Sequence, residues 1–387
     1  MKAAIKKALL RVGLLLAGLL VGLLLAEGLA RVVQPGGAAD LLFNAPEYSP
    51  LDLYINDPEL LLLPSPGFEG EVGTSEYSSW IRINERGLRG PPVGPKPEGA
   101  LRLLAVGDSF TMSVQVDEAE LFQARLAESL TASLGRPVEI LNGGVDGYGT
   151  LQALGRVEHL AETLELDGAI YLFFMGNDLQ DNVTYNHLAR GRRSVIPRPL
   201  DHRPANQPTM QGAPNRPEMP AWRRWLGTHS HAYAQIDVYQ KSQNPNERAL
   251  QRFRMELELF LSGSPGLRQH LTETKKAIDL AAERCEARGM HCFMAVAPAA
   301  FMIDQRRAAP TFELVGLDAD RIDLDGPREA VVDVASAAMP TLDLTPALTE
   351  AAEDGPVYYR YDGHWNVRGH AAVADAMAAW MTPTLKE

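Results

Sequence analysis

The chain has 387 residues, 45% hydrophobic and 22% charged, the balance of a globular protein. Its formal net charge of −12, with no basic stripe, argues against a nucleic-acid partner. This length suits one large α/β domain with insertions, or two domains, and no internal repeat is visible.

Residues 1–33 begin with Lys2, Lys6, Lys7 and Arg11, followed from Val12 to Ala26 by residues that are all apolar or Gly. A positive head before an apolar run is an export signal whose charged end stays in the cytoplasm. Ala26-Glu27-Gly28 offers a small-x-small cleavage site, which would make the segment a removable signal peptide. The alternative is an uncleaved anchor, because Ala8 to Ala26 is nearly the roughly 20 residues a bilayer span needs. No cysteine follows the run, so a lipoprotein is disfavoured. The remainder is expected outside the cytoplasm, membrane-anchored if the segment stays and secreted if it is cut.

Residues 34–100 are rich in Pro, Gly and Asp. A strand-like piece at Trp80–Asn84 runs into Glu85-Arg86-Gly87, which reads as a hairpin turn or bulge. We expect a small β extension packed on the main domain, since Trp80, Ile81 and Ile83 call for burial. Gly90 to Pro97 then reads as a linker.

From Leu101 the pattern becomes βαβα. Strand-like runs at Leu101–Val106, Val138–Leu141, Ala169–Phe174, His291–Ala297 and Thr341–Leu344 alternate with amphipathic segments at Glu118–Leu134, Leu151–Leu164 and Leu267–Arg288. Asn366–Met381 is an Ala-rich terminal helix. The alternation predicts a parallel sheet with helices on both faces. About 186–247 breaks the rhythm, crowded with Pro, Arg, His and Asn, with Trp222 and Trp225 close together. Following the third strand, it reads as an insertion that packs through these tryptophans and Tyr233 into a lid, or else as a surface loop. Cys285 and Cys292 flank a helix-to-strand turn, where a disulfide and two buried thiols are equally compatible with the pattern. His291 has no second ligand pair at a spacing that suits zinc.

Four blocks stand at the ends of these elements: Gly107-Asp108-Ser109, Asn142 to Thr150 with its glycines, Gly176-Asn177-Asp178, and Asp362-Gly363-His364-Trp365. Ser109 sits on the turn from a buried strand to a helix, a place that holds a hydroxyl rigidly beside free backbone N–H groups. A serine needs a base to remove its proton, and His364 is the candidate. Asp362 is placed to hold the other imidazole nitrogen, with Asp343 a weaker alternative. Ser109 N–H, Gly147 N–H and the Asn177 amide are candidate donors for the oxyanion of a tetrahedral intermediate.

These blocks resemble the SGNH, or GDSL-type, hydrolase superfamily, over about Leu101 to the end apart from the insertion. The resemblance places the family serine at Ser109, its glycine at Gly147, its asparagine at Asn177 and its histidine at His364 with Asp362. It implies a flavodoxin-like three-layer αβα fold and no metal or organic cofactor. One departure is the final block, Asp-x-His-Trp instead of Asp-x-x-His, which resembles the membrane-linked branch containing the alginate O-acetyltransferases. The implied activity is an extracytoplasmic serine esterase acting through an acyl-enzyme on O-acyl, typically acetyl, esters of carbohydrate. An O-acyltransferase working on an exported polysaccharide, with a partner protein delivering the acyl group, uses the same residues. A non-catalytic carbohydrate-binding or assembly protein is the remaining reading. A lipase is disfavoured, because the insertion is polar and Arg-rich.

Overall fold

In a computed structural model, the structure describes residues 2–32, 53–190 apart from Ser75, seven positions between Trp222 and Ile236, and 247–386 apart from Tyr361. Most of the 186–247 insertion expected from sequence therefore lies outside the described residues. Trp222 and Trp225 are described, and both stand exposed, contrary to the expected packing, while Tyr233 is half-buried.

Helix α1 (Lys2–Val32) contains a mostly apolar stretch, Leu9–Ala30, of 22 residues, in which Arg11 and Glu27 are the charged positions. At about 1.5 Å per residue this is long enough to cross the hydrocarbon core of a bilayer. Its leucines are exposed all round. Near its end, the Glu27 carboxylate accepts hydrogen bonds from Ser230 Oγ (2.8 Å) and the Ala232 N–H (3.2 Å).

Two antiparallel hairpins follow, β1 (Tyr54–Asp57) with β2 (Leu61–Pro64), and β3 (Glu69–Gly73) with β4 (Ser78–Arg82). Side chains alternate across β4, so Ile81 is buried while Trp80 points to solvent, 58% exposed. The expected burial of Trp80 is thus corrected, since it lies on the opposite face of the strand from Ile81. The turn after β4 forms as expected: Gly87 adopts a φ of +68°, and the Asn84 side chain accepts from Arg86 and Leu88 N–H groups. The hairpins bury Leu53, Phe68, Val72, Ile81 and Ile83 against Met112 and Val114. Leu60 and Leu63 pack on Val145 and Tyr148. Buried Arg89 staples the junction, its guanidinium donating to the Met112 (2.8 Å) and Val116 (2.5 Å) carbonyls. The extension is fastened to the two loops that carry Ser109 and Gly147.

The main sheet has five parallel strands: β5 (Leu101–Val106), β6 (Val138–Asn142), β7 (Gly168–Phe174), β8 (His291–Ala297) and β9 (Thr341–Asp343). Their spatial order is β6-β5-β7-β8-β9. Counted within the sheet this is 2-1-3-4-5, the flavodoxin-like doubly wound order. β5 is buried at every position, which explains its continuous apolar run.

On one face, Leu104 and Val106 pack with α4 (Thr150–Leu160), α7 (Leu267–Ala287) and α8 (Asp325–Ser336). On the other, Leu101, Leu103 and Ala105 meet α3 (Phe122–Leu134), α9 (Thr345–Glu353) and α10 (Val367–Lys386). Three layers result, and each fully buried Leu or Val contributes about 1.5–3 kcal/mol. Between these elements lie α2 (Ser109–Met112), α5 (Asp178–Arg190) and α6 (Glu247–Glu258). The helix expected from Glu118 begins instead at Phe122, because Leu121 is extended and separates it from a short 3-10 turn at Glu118–Glu120. Cys285 and Cys292 are joined in a disulfide that ties the end of α7 to the start of β8.

Candidate active site

In a doubly wound sheet, ligands bind beyond the carboxyl ends of the strands where the winding reverses. Here the winding reverses around β5, whose neighbours β6 and β7 lie on either side. Ser109 follows β5, Gly147 follows β6 and Asn177 follows β7, so three of the expected residues share that crevice by topology alone.

The turn carrying Ser109 is set by a glycine and a cap. Gly107 has a φ of +154°, and a Cβ there would lie 2.5 Å from Thr111 Oγ1 and 2.6 Å from the Leu172 carbonyl. Asp108 caps α2, its Oδ1 accepting from the Phe110 N–H at 2.9 Å. The loop after β6 lies directly on this turn. A side chain at Gly144 would approach Met112 N to 2.2 Å, and Val145 N donates to the Gly107 carbonyl at 3.0 Å. Asn142 stitches both, accepting from Gly144 N (3.0 Å) and donating to the Thr111 carbonyl (2.8 Å).

Ser109, His364 and Asp362 form one hydrogen-bonded line. His364 Nε2 is 2.8 Å from Ser109 Oγ, and His364 Nδ1 is 2.5 Å from Asp362 Oδ1. A carboxylate only accepts, so Nδ1 carries the proton and Nε2 is left to take the serine proton. The short Asp-x-His spacing works because Gly363 adopts a φ of +81°, which folds the aspartate back under the ring. Asp343 is excluded as the orienting group. It is engaged elsewhere, accepting from the Arg328 guanidinium and from Thr345 N.

Burial pulls the His364 pKa down, but the carboxylates of Asp362, Asp108 and Asp146 outweigh it and hold the imidazole above its ordinary value. Phe110 packs 4.6 Å from the imidazole, between ring centroids, and fully buried Trp365 meets Phe110 edge-on at 5.0 Å.

Two residues that sequence reasoning missed brace this loop from the β3–β4 hairpin. Tyr77 Oη donates to Asp362 Oδ2 at 3.2 Å. The Glu76 carboxylate accepts from Arg360 N (2.8 Å) and Asp362 N (2.7 Å). These contacts span 284 to 286 positions in sequence and carry no spacing signal.

Among the described residues nothing accepts from the Ser109 or Gly147 N–H. Gly147 is exposed with a φ of +73°. Asn177 Nδ2 donates one proton to Asp181 Oδ2 at 2.7 Å, which leaves its second proton for another acceptor.

Burial pushes the Asp108 carboxyl up to about 7, opposed by the Phe110 N–H and His364. Asp178 is likewise raised by burial and then by the Asp108 charge. The folded state therefore binds more protons at Asp108 than the unfolded chain between about pH 4 and 7, and stability falls as pH rises through that window. Asp108→Asn keeps a competent cap and removes the titration. Its melting temperature relative to wild type should rise between pH 5 and pH 8. A difference that stays flat would contradict the assignment.

Residues 259–387 match the family model described as "SGNH hydrolase-like domain, acetyltransferase AlgX". This third of the chain is similar to an SGNH hydrolase-like domain, a type that acts on ester bonds. The matched residues include Asp362 and His364, while the other three blocks lie ahead of them. No curated protein matches the chain.

Similar solved structures include an acetylxylan esterase variant from Geobacillus stearothermophilus, at 11% identity, covering 75% of this chain and 96% of that one, TM-score 0.39. A lipase from a goat rumen metagenome aligns at 12% identity over 72% and 98%, TM-score 0.40. A G-D-S-L lipolytic family member from Veillonella parvula aligns at 14% over 73% and 98%, TM-score 0.36. The fold assignment rests on the strand order itself.

Proposed function

We propose that this chain is a membrane-anchored, extracytoplasmic serine esterase that works through an acyl-enzyme on acetylated carbohydrate. The observation that carries the reading is the Ser109–His364–Asp362 line, with Ser109 at the winding reversal. His364 Nε2 takes the hydroxyl proton as Ser109 Oγ attacks the ester carbonyl. Asp362 keeps the imidazole in the required tautomer and stabilises its cation. The tetrahedral oxyanion is received by the Ser109 and Gly147 N–H groups and the second Asn177 amide proton. Collapse expels the alcohol, which takes the proton from His364. Water, activated by the same imidazole, then releases the acid.

A second reading is favoured by the acetyltransferase description of the matching family model. There a sugar hydroxyl replaces water, and a partner protein supplies the acyl group. One experiment separates the two: the acetyl group is followed into water or into added oligosaccharide. Transfer exceeding hydrolysis at millimolar acceptor supports the transferase, and free acetate alone supports the esterase.

The proposed organisation is an anchor at 1–33, a β extension at 34–100 and the catalytic domain from 101 onward. An extracytoplasmic setting is supported by the apolar α1 and by the Cys285–Cys292 disulfide, which persists in oxidising compartments. Retention of α1 is supported by Glu27, which lies inside the cleavage motif and is bonded to Ser230 and Ala232. Intact mass of the mature protein from membranes should include residues 1–33. A mature chain starting near residue 28 would overturn the anchor.

A further inference from the structure

The Asn177 amide is the end of a short chain of charge-assisted contacts. Its Nδ2 donates to Asp181 Oδ2 at 2.7 Å, and Asp181 Oδ1 accepts from Arg252 Nη2 at 2.8 Å. Arg252 Nε in turn donates to Glu256 Oε1, also at 2.8 Å, one helical turn on. Asp181 N donates back to the Asn177 carbonyl at 2.9 Å, so loop and helix are joined twice.

The arrangement does more than close a loop. An asparagine amide is nearly symmetric in shape, and an unanchored one presents its oxygen or its nitrogen to the crevice with little preference. An ionised carboxylate accepts and never donates, so Asp181 selects the nitrogen side. One N–H is consumed by Asp181, and amide planarity fixes where the other points. Asp181 is nearly buried, its side chain 8% exposed, in the first turn of α5, where a negative charge is favoured. Arg252 supplies the counter-charge from α6, an element otherwise only lightly packed on α5. Burial raises the Asp181 carboxyl to about 6, with Arg252 and Asn177 pulling against it, so the group is charged at neutral pH.

We propose that Asp181 and Arg252 are positioning residues that set the Asn177 amide for the oxyanion, acting only through Asn177. This rests on the esterase reading given above. It assigns α6 to the active site through Arg252, which acts at one remove from the reacting atoms.

The test is a double-mutant cycle in the full-length chain, assayed with an activated acetyl ester so that weak variants remain measurable. Asp181→Asn leaves one acceptor oxygen for two donors, Asn177 Nδ2 and Arg252 Nη2, and should lower kcat about 10–100-fold, with KM within about twofold, somewhat less than loss of the donor itself. In an Asn177→Ala background the same change should have no further effect on kcat, within about twofold. A full further loss in that background, or a wild-type kcat for Asp181→Asn, would overturn the proposal. Arg252 is 54% exposed, so Arg252→Met keeps the test open if Asp181→Asn fails to fold. It should cost about 3–10-fold in kcat, be silent without Asn177, and be partly restored by Arg252→Lys. An Arg252→Met effect that persists in the Asn177→Ala background overturns the proposal equally. If Ser109→Ala retains activity, the esterase reading itself has failed. If Ser109→Ala is inactive and the cycle is additive, only the positioning role has failed.

Discussion

Ser109→Ala is expected to reduce kcat/KM on any ester the wild type cleaves by at least about 10⁴-fold, with the fold and melting temperature essentially unchanged. The size follows from what the hydroxyl does. It is the only group aimed from the α2 turn at His364 Nε2, and its removal leaves the imidazole without a nucleophile to activate. Donors and binding alone retain a residual rate over water, and in serine hydrolases loss of the nucleophile costs several orders of magnitude. The substitution is structurally quiet because Ser109 Oγ has His364 as its side-chain partner, and α2 is capped by Asp108. Activity near wild type would place the chemistry elsewhere.

Asp362→Asn should cost on the order of 10³–10⁴-fold in kcat. The asparagine amide would donate to Nδ1, moving the imidazole proton to Nε2, the atom that must accept from Ser109. A second signature accompanies the loss. His364 is active when neutral, and the Asp362 charge is the largest of the influences that raise its pKa against burial. The acid limb of the wild-type rate should therefore lie above the ordinary histidine value, and in Asp362→Asn it should move to lower pH. Tyr77→Phe removes one of the bonds that position the same carboxylate but keeps its charge, so it should cost about 3–30-fold in rate without the movement of the limb to lower pH. An Asp362→Asn variant that lost activity with no movement of the limb would point to a collapsed loop instead of a lost charge.

The parts of this site that were legible before the structure are those that depend on local pattern. The β5 run ends one residue before Gly107, and its continuous burial made the strand and the position of Ser109 readable from composition alone. The same holds for β8, which spans His291–Ala297 as expected. The Asp362–His364 pairing was weakly legible, because it depends on a positive φ at Gly363 that Asp-Gly-His permits without requiring. Asp343 drew attention as the end of a strand, yet its charge partner Arg328 lies in α8, a contact no spacing announces. Glu76 and Tyr77 were out of reach for the same reason: they act on a loop hundreds of residues away. Asp181 was closer to legible. It lies four residues after Asn177, one helical turn, the spacing at which side chains meet.

The extension also changes how the site is understood. Sequence suggested a small β unit packed on the main domain, and the hairpins do pack there, but they do so on the functional loops. Leu60 and Leu63 press on Val145, two residues before Gly147, while Glu76 holds the backbone of Arg360 and Asp362. Rigid support of this kind is what keeps a nucleophile, base and donors within the fractions of an ångström that acyl transfer demands.

Active-site labelling of the full-length protein in detergent with a fluorophosphonate probe, the modified residue being located by mass spectrometry, reads directly whether Ser109 is an activated nucleophile. A label on Ser109 is expected in wild type, with little or none in His364→Ala. A folded wild type that takes no label, or one labelled at Ser109 equally well without His364, would contradict it.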